Sequence, residues 1–203
     1  FVRYGKRFGP GLWLTLVSGR EGWMSALAVG LLLAMPTPPL HAAEVASRWF
    51  VTDQGRVRLV AGENSVGPDG AVPLGLEFDL KPHWKIYWRS PGDAGYPPRL
   101  DWTGSRNLQA AALGWPAPRR FSVLGLETVG YEGRIVLPIA ATAARPGQPV
   151  AIRAALNYLT CSDICIPYET RLALYLPGGD GAPSVDAGLI ARFAAREPPH
   201  QQT

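Results

Sequence analysis

The sequence predicts an all-β domain, an antiparallel sandwich followed by one short helix, and three observations carry that expectation. Between Trp49 and Leu176 the chain is a succession of short β-branched or alternating runs separated by Gly, Pro, Asn and Asp, the pattern of strands joined by turns. Two runs alternate cleanly. Leu74, Leu76, Phe78 and Leu80 share one face against Gly75, Glu77 and Asp79, and Ile152, Ala154, Leu156 and Tyr158 repeat the pattern, so each strand has a side to bury. With 47% apolar residues in 203, the chain has material for a medium-sized domain with a real core.

Taken in order, residues 1–43 read as a leader: basic Arg3, Lys6, Arg7 and Arg20, an apolar run over 26–35, then prolines and small residues before Glu44. The run is too short to span a bilayer. Cleavage is expected near Ala42 or Ala43, and the competing reading is a buried N-terminal helix. Strands are predicted over residues 56–61, 72–80, 85–88, 99–102, 109–113, 134–140, 150–159 and 168–176. The spacing of these runs is that of a sandwich. Residues 177–183, rich in Gly and Pro, read as a linker, after which Ser184 is placed to cap a helix carrying Leu189, Ile190 and Phe193 on one side. The expected organisation is therefore a leader over 1–43, a sandwich over 44–177, and a linker and short helix over 178–203 that lead to further segments.

Charge narrows the function. The whole chain carries a net charge of +4, but without residues 1–43 sixteen Lys and Arg face fifteen Asp and Glu. No basic patch interleaved with aromatics remains, which argues against nucleic acid. There is no phosphate-binding glycine loop, no His-Glu-x-x-His helix and no internal repeat.

The chemistry concentrates in Asn157-Tyr-Leu-Thr-Cys161-Ser-Asp-Ile-Cys165-Ile-Pro-Tyr-Glu-Thr170, which holds both cysteines of the chain. A leader would deliver them to an oxidising compartment, where they are expected to pair with each other. Only Ser162, Asp163 and Ile164 separate them, which is hairpin spacing and implies a Cα separation of about 5.5 Å. A ring this small contributes only about 2 kcal/mol on the loop-entropy model, so a bond across a tight turn suits opening and closing better than stapling. Three uses stay open on spacing alone: redox exchange, a local clamp, and a metal site. For zinc the ligands are too few, since His41, His83 and His200 lie in the leader, a turn and the tail; two thiolates would suit Cu(I).

This segment resembles the cysteine motif of the N-terminal periplasmic domain of DsbD-type thiol:disulfide interchange proteins, in particular the ScsB-like branch. The resemblance extends through Gly75-Leu-Glu-Phe-Asp-Leu-Lys-Pro-His-Trp-Lys-Ile-Tyr-Trp-Arg-Ser-Pro-Gly-Asp-Ala-Gly-Tyr-Pro-Pro98, Trp115-Pro-Ala-Pro118 and Phe121-Ser-Val-Leu-Gly-Leu-Glu-Thr-Val-Gly-Tyr131, and covers Trp49 to Leu176. It implies an immunoglobulin-like antiparallel β-sandwich in the periplasm, tethered to the inner membrane through segments outside this chain. It also implies a Cys161/Cys165 pair that takes electrons from a thioredoxin-like domain of the same or a neighbouring protein. The pair would pass them to periplasmic thioredoxin-fold proteins such as a disulfide isomerase, a cytochrome c maturation thioredoxin or a copper-stress protein, with no cofactor. Well-known members have a longer gap between the cysteines than the three residues here.

The resemblance further implies a cap loop over the disulfide, by position residues 125–133, with Leu126, Glu127, Thr128, Val129 and Tyr131 as its candidates. Tyr87 and Trp88 are candidates to flank the pair, and Asp163 would disfavour a nearby thiolate unless turned outward. Glu127 and Glu169 are proton-relay candidates if either lies near a sulfur. Cys161 is expected to attack, from the family pattern and because Ile166-Pro167 crowds Cys165. The rival readings are a binding module with a static disulfide and a copper-binding domain in metal stress.

Overall fold

In the computed structural model, residues 45–123 and 125–199 are described; the expected leader lies outside them. Eleven strands and one helix follow in order: β1 (Phe50–Thr52), β2 (Gly55–Ala61), β3 (Ala71–Leu80), β4 (Lys85–Gly92), β5 (Arg99–Asp101), β6 (Leu108–Leu113), β7 (Arg119–Val123), β8 (Leu126–Glu132), β9 (Arg134–Ala143), β10 (Val150–Cys161), β11 (Cys165–Leu176) and α1 (Ala187–Ala194). One sheet has five strands in the order β1-β2-β3-β9-β6, and the other has six, β11-β10-β4-β8-β7 with β5 paired to β10. The pairings are antiparallel, and the two sheets form the expected immunoglobulin-like sandwich.

Alternation decides the layers. Leu74, Leu76 and Phe78 of β3 and Ile152, Ala154, Leu156 and Tyr158 of β10 are buried in one core. Phe78 meets Tyr158 edge to face at 5.2 Å between ring centres, and Tyr158 stacks on Tyr168 of β11 at 5.4 Å. All eight predicted strands are present. Three more, β1, β7 and β8, were not predicted, and β4 continues to Gly92 because Asp93 holds it to β8: Asp93 N–H donates to Glu127 O and Glu127 N–H to the Asp93 carboxylate.

The outward face of β3 departs from expectation. Glu77 is 1% exposed, held between Arg58 at 2.8 Å and Arg134 at 2.6 Å. Farther along the same face, α1 lies against β3 and β9, with Ile190 and Phe193 buried. A Cβ on Gly75 would stand 3.1 Å from the Ile190 side chain, so the glycine gives the helix its seat. Ser184 does not cap α1 as predicted. Asp186 holds the N-cap position, and the Ser184 hydroxyl, two residues earlier, accepts the Asp186 N–H at 3.1 Å and donates to the Ala61 carbonyl of β2. Nor do residues 177–183 hang free as a linker: they hydrogen-bond along the β2–β3 connection, Val66 N–H to Pro177 O and Asn64 N–H to Ala182 O among them.

Burial raises the pKa of two core phenols well above the ordinary 10, Tyr131 with the Glu197 charge adding to the effect and Tyr158 with Tyr168 adding. Below pH 10 both phenols are neutral in the folded and the unfolded chain. Above it the unfolded chain gives up these protons first, so stability falls with rising pH, by about 1.4 kcal/mol per tyrosine for each pH unit. Urea denaturation between pH 9 and 11 should show this slope, and Tyr158→Phe should remove close to half of it; an unchanged slope would mean that Tyr158 ionises in place.

Candidate functional site

β10 and β11 are each 12 residues long and are paired along their whole length, from Val150 opposite Leu176 to Cys161 opposite Cys165. Side chains alternate, so a strand whose even-numbered residues fill the core presents its odd-numbered ones outward. Cys161 and Cys165 therefore both project from the outer face of the six-stranded sheet, at its end. They form a disulfide with Cα atoms 4.1 Å apart, closer than the expected separation and nearer that of a non-hydrogen-bonded pair. The turn between them closes with Ser162 N–H donating to Ile164 O.

The two cysteines differ in access: Cys161 is fully buried and Cys165 is an exposed residue. Access thus runs against the expectation that Cys161 attacks. β4 lies beside β10, with Lys85 opposite Cys161. The same parity places Tyr87 on the outer face, where it forms a small second cluster with Cys161, walled by half-buried Phe121 of β7 and Leu159 of β10. The Tyr87 hydroxyl is 3.9 Å from Cys165 Sγ. A disulfide sulfur has no proton, so the phenol is the donor. Burial raises the Tyr87 pKa above its usual value, which keeps that donor protonated through neutral pH. Gly95 lies against the ring with φ +90°, and a Cβ there would stand 2.4 Å from Tyr87 Cζ.

Residues 56–177 match the family described as thiol:disulfide interchange protein DsbD, N-terminal. The chain belongs to that family. Among solved structures, the N-terminal periplasmic domain of ScsB from Proteus mirabilis is 31% identical with a TM-score of 0.61, over 77% of this chain and 60% of that one. This chain therefore spans 60% of the length of that relative's structure. The N-terminal domain of Neisseria meningitidis DsbD, in its reduced form, gives 16% identity and a TM-score of 0.32, over 68% and 87%. Among curated proteins none matches. The cysteine pair of this family member is thus present as a Cys161–Cys165 disulfide.

In this DsbD-type domain the residues named from sequence separate. Tyr87 reaches the disulfide, whereas Trp88, next along β4, packs against the main core with Arg89 over its ring at 4.8 Å. Residues 125–133 are not a loop: they contain β8, hydrogen-bonded to β4 on one side and β7 on the other. Tyr131 is a core residue whose hydroxyl donates to Pro116 O at 2.7 Å. Thr128 is buried and donates to Phe121 O, Val129 is half-buried, and Leu126 and Glu127 are exposed. Asp163 is exposed in the turn, and Glu169 is engaged by Asn157 at 2.9 Å. Sequence reasoning missed Phe121 and Lys85, which strand pairing brings to the cysteine face, and Leu159, which shares that face two residues before Cys161 on β10. Among the described residues no three of His, Cys, Asp and Glu gather where they could hold a metal ion.

Gly95→Ala should displace the Tyr87 ring and destabilise the domain by about 2 kcal/mol or more, from left-handed backbone strain and overpacking together. Urea denaturation measures it. A stability equal to that of the parent would show that the ring does not depend on Gly95.

Proposed function

We propose that the chain is a periplasmic protein-disulfide reductase domain that accepts electrons from a thioredoxin-like domain and passes them to thioredoxin-fold proteins through Cys161 and Cys165. The observation that carries this reading is the asymmetry of the pair: Cys165 is an exposed residue at the end of a sheet, and Cys161 is fully buried. A structural bond has no need of an open sulfur. In thiol–disulfide exchange the attacked sulfur must be reachable along the line of the bond, and the other must leave.

Cys165 is the sulfur attacked when the pair is reduced, and the one that attacks when the pair reduces a partner; Cys161 leaves or resolves. Phe121, with Tyr87 and Leu159, shelters Cys161 from small oxidants, where the family resemblance implied a cap from residues 125–133. The exposed Ile164 in the turn between the cysteines gives a thioredoxin-fold surface apolar ground beside the disulfide. The periplasmic location draws support from the leader-like residues 1–43 and from the description of the ScsB relative as periplasmic. Membrane attachment would come through other segments, since among the described residues no helix is long and apolar enough to cross a membrane.

The test is covalent capture. Cys161→Ser, activated at Cys165 as a mixed disulfide with thionitrobenzoate, should couple to a thioredoxin-fold protein that retains a single active-site cysteine. Activated Cys165→Ser should couple at least about tenfold more slowly, because its sulfur is buried. The reverse order would return the attacking role to Cys161. Coupling of neither variant faster than to free glutathione would remove the exchange reading.

A further inference from the structure

Lys85 opens β4 on the outer face of the sheet, where a lysine ordinarily keeps its ammonium in water. Here the side chain is only 15% exposed. Its Nζ donates to His83 O at 3.0 Å, lies 3.4 Å from Glu132 Oε1, and stands 5.4 Å from the centre of the Phe121 ring. Lys85 is also the direct cross-strand partner of Cys161, and side chains so paired have Cβ atoms about 4.5–5.5 Å apart. Ordering and desolvating a flexible cation costs free energy, and the ion pair with a partly exposed Glu132 offsets little of it.

We propose that Lys85 is a positioning residue for disulfide exchange: its ammonium stabilises the thiolate left on Cys161 when the disulfide opens, and Glu132 sets how much of that charge the sulfur feels. The inference rests on the exchange reading above and gives it an electrostatic part. In the step concerned, a thiolate of the thioredoxin-fold partner attacks Cys165 Sγ. A bond forms between those two sulfurs, the Cys161–Cys165 bond breaks, and its electron pair departs on Cys161 Sγ. That sulfur is fully buried, so water does not solvate the anion, and burial by itself makes a thiolate a poor leaving group. In the opposite direction the same anion resolves the mixed disulfide.

The neighbouring elements supply little else. From β4, Tyr87 is a neutral donor whose hydroxyl faces Cys165. From β8 comes Glu132, opposed in charge to Lys85. In the turn Asp163 is exposed, and on β7 Arg119 and Arg120 are exposed and screened by water. Lys85 is thus the one sheltered cation among these groups.

The experiment is a pH titration of the cysteine 13Cβ signals in the reduced full chain, which has two cysteines to assign. Lys85→Met should raise the Cys161 pKa by about one unit, a tenfold loss of thiolate at a given pH below it. Glu132→Gln should lower it, and Lys85→Arg should stay near the parent. The rate of reduction by dithiothreitol should follow the same order, slowest for Lys85→Met and fastest for Glu132→Gln. A lysine that merely packs on Phe121 predicts no opposed shifts. An unchanged Cys161 titration in folded Lys85→Met overturns the proposal. Should that variant not fold, Glu132→Gln decides, and failure to lower the pKa overturns it. The titration uses no protein partner, so its failure leaves the capture experiment standing, and failed capture leaves the order of pKa values standing.

Discussion

The uninterrupted register of β10 against β11 is the constraint on which the rest of the structure depends. Because side chains alternate, one continuous ladder fixes two things together: Ile152, Ala154, Leu156 and Tyr158 fill the core, and the cysteines at the far end face outward. A slip of one residue would turn Cys161 into the core and bring Leu159 and Asn157 inward with it. The core therefore enforces the orientation of the disulfide, and the short turn enforces its closeness. The bond itself adds little, about 2 kcal/mol for so small a ring. A pair held in place by its strands keeps its position when the bond opens.

The same parity assembles the surroundings. Lys85 and Tyr87 of β4 lie on the cysteine face while Ile86 and Trp88 serve the core, so one strand serves two masters without conflict. β8 then brings Glu132 to Lys85, and β7 brings Phe121 over the cluster. The outcome is a buried Cys161 whose cross-strand partner is a sheltered lysine and an exposed Cys165 whose sulfur meets a phenol, two unlike environments joined by one bond. Unlike environments underlie the unlike roles proposed for the two cysteines.

Much of this was legible from the residues. Long alternating runs such as β3 and β10 declare themselves because a half-buried sheet imposes a period of two. The cysteine spacing declared the hairpin, and the motif declared the family. β7 and β8 escaped because Gly125 and Gly130 break residues 119–132 into short runs and the resemblance assigned residues 125–133 to a cap loop; the strands exist through pairing of β8 with β4 and of β7 with β8, the first a non-local cause. β1, three residues long, carries too little pattern to detect. Phe121 and Lys85 were invisible as site residues for a related reason: each comes to the cysteine face by register and not by sequence, whereas Leu159, two residues before Cys161 on β10, was open to detection by alternation. Alternation turns Tyr87 and Trp88 to opposite faces of β4, and only the pairing of Lys85 with Cys161 says which of them faces the disulfide.

The central claim is that this disulfide is built to open, and its reduction potential tests that most directly. Equilibrating the Cys161–Cys165 pair against thioredoxin and glutathione buffers, with thiol trapping, should give a value between about −270 and −180 mV, where thioredoxin-fold proteins exchange readily. A value below about −300 mV would make the bond a structural clamp and contradict the account.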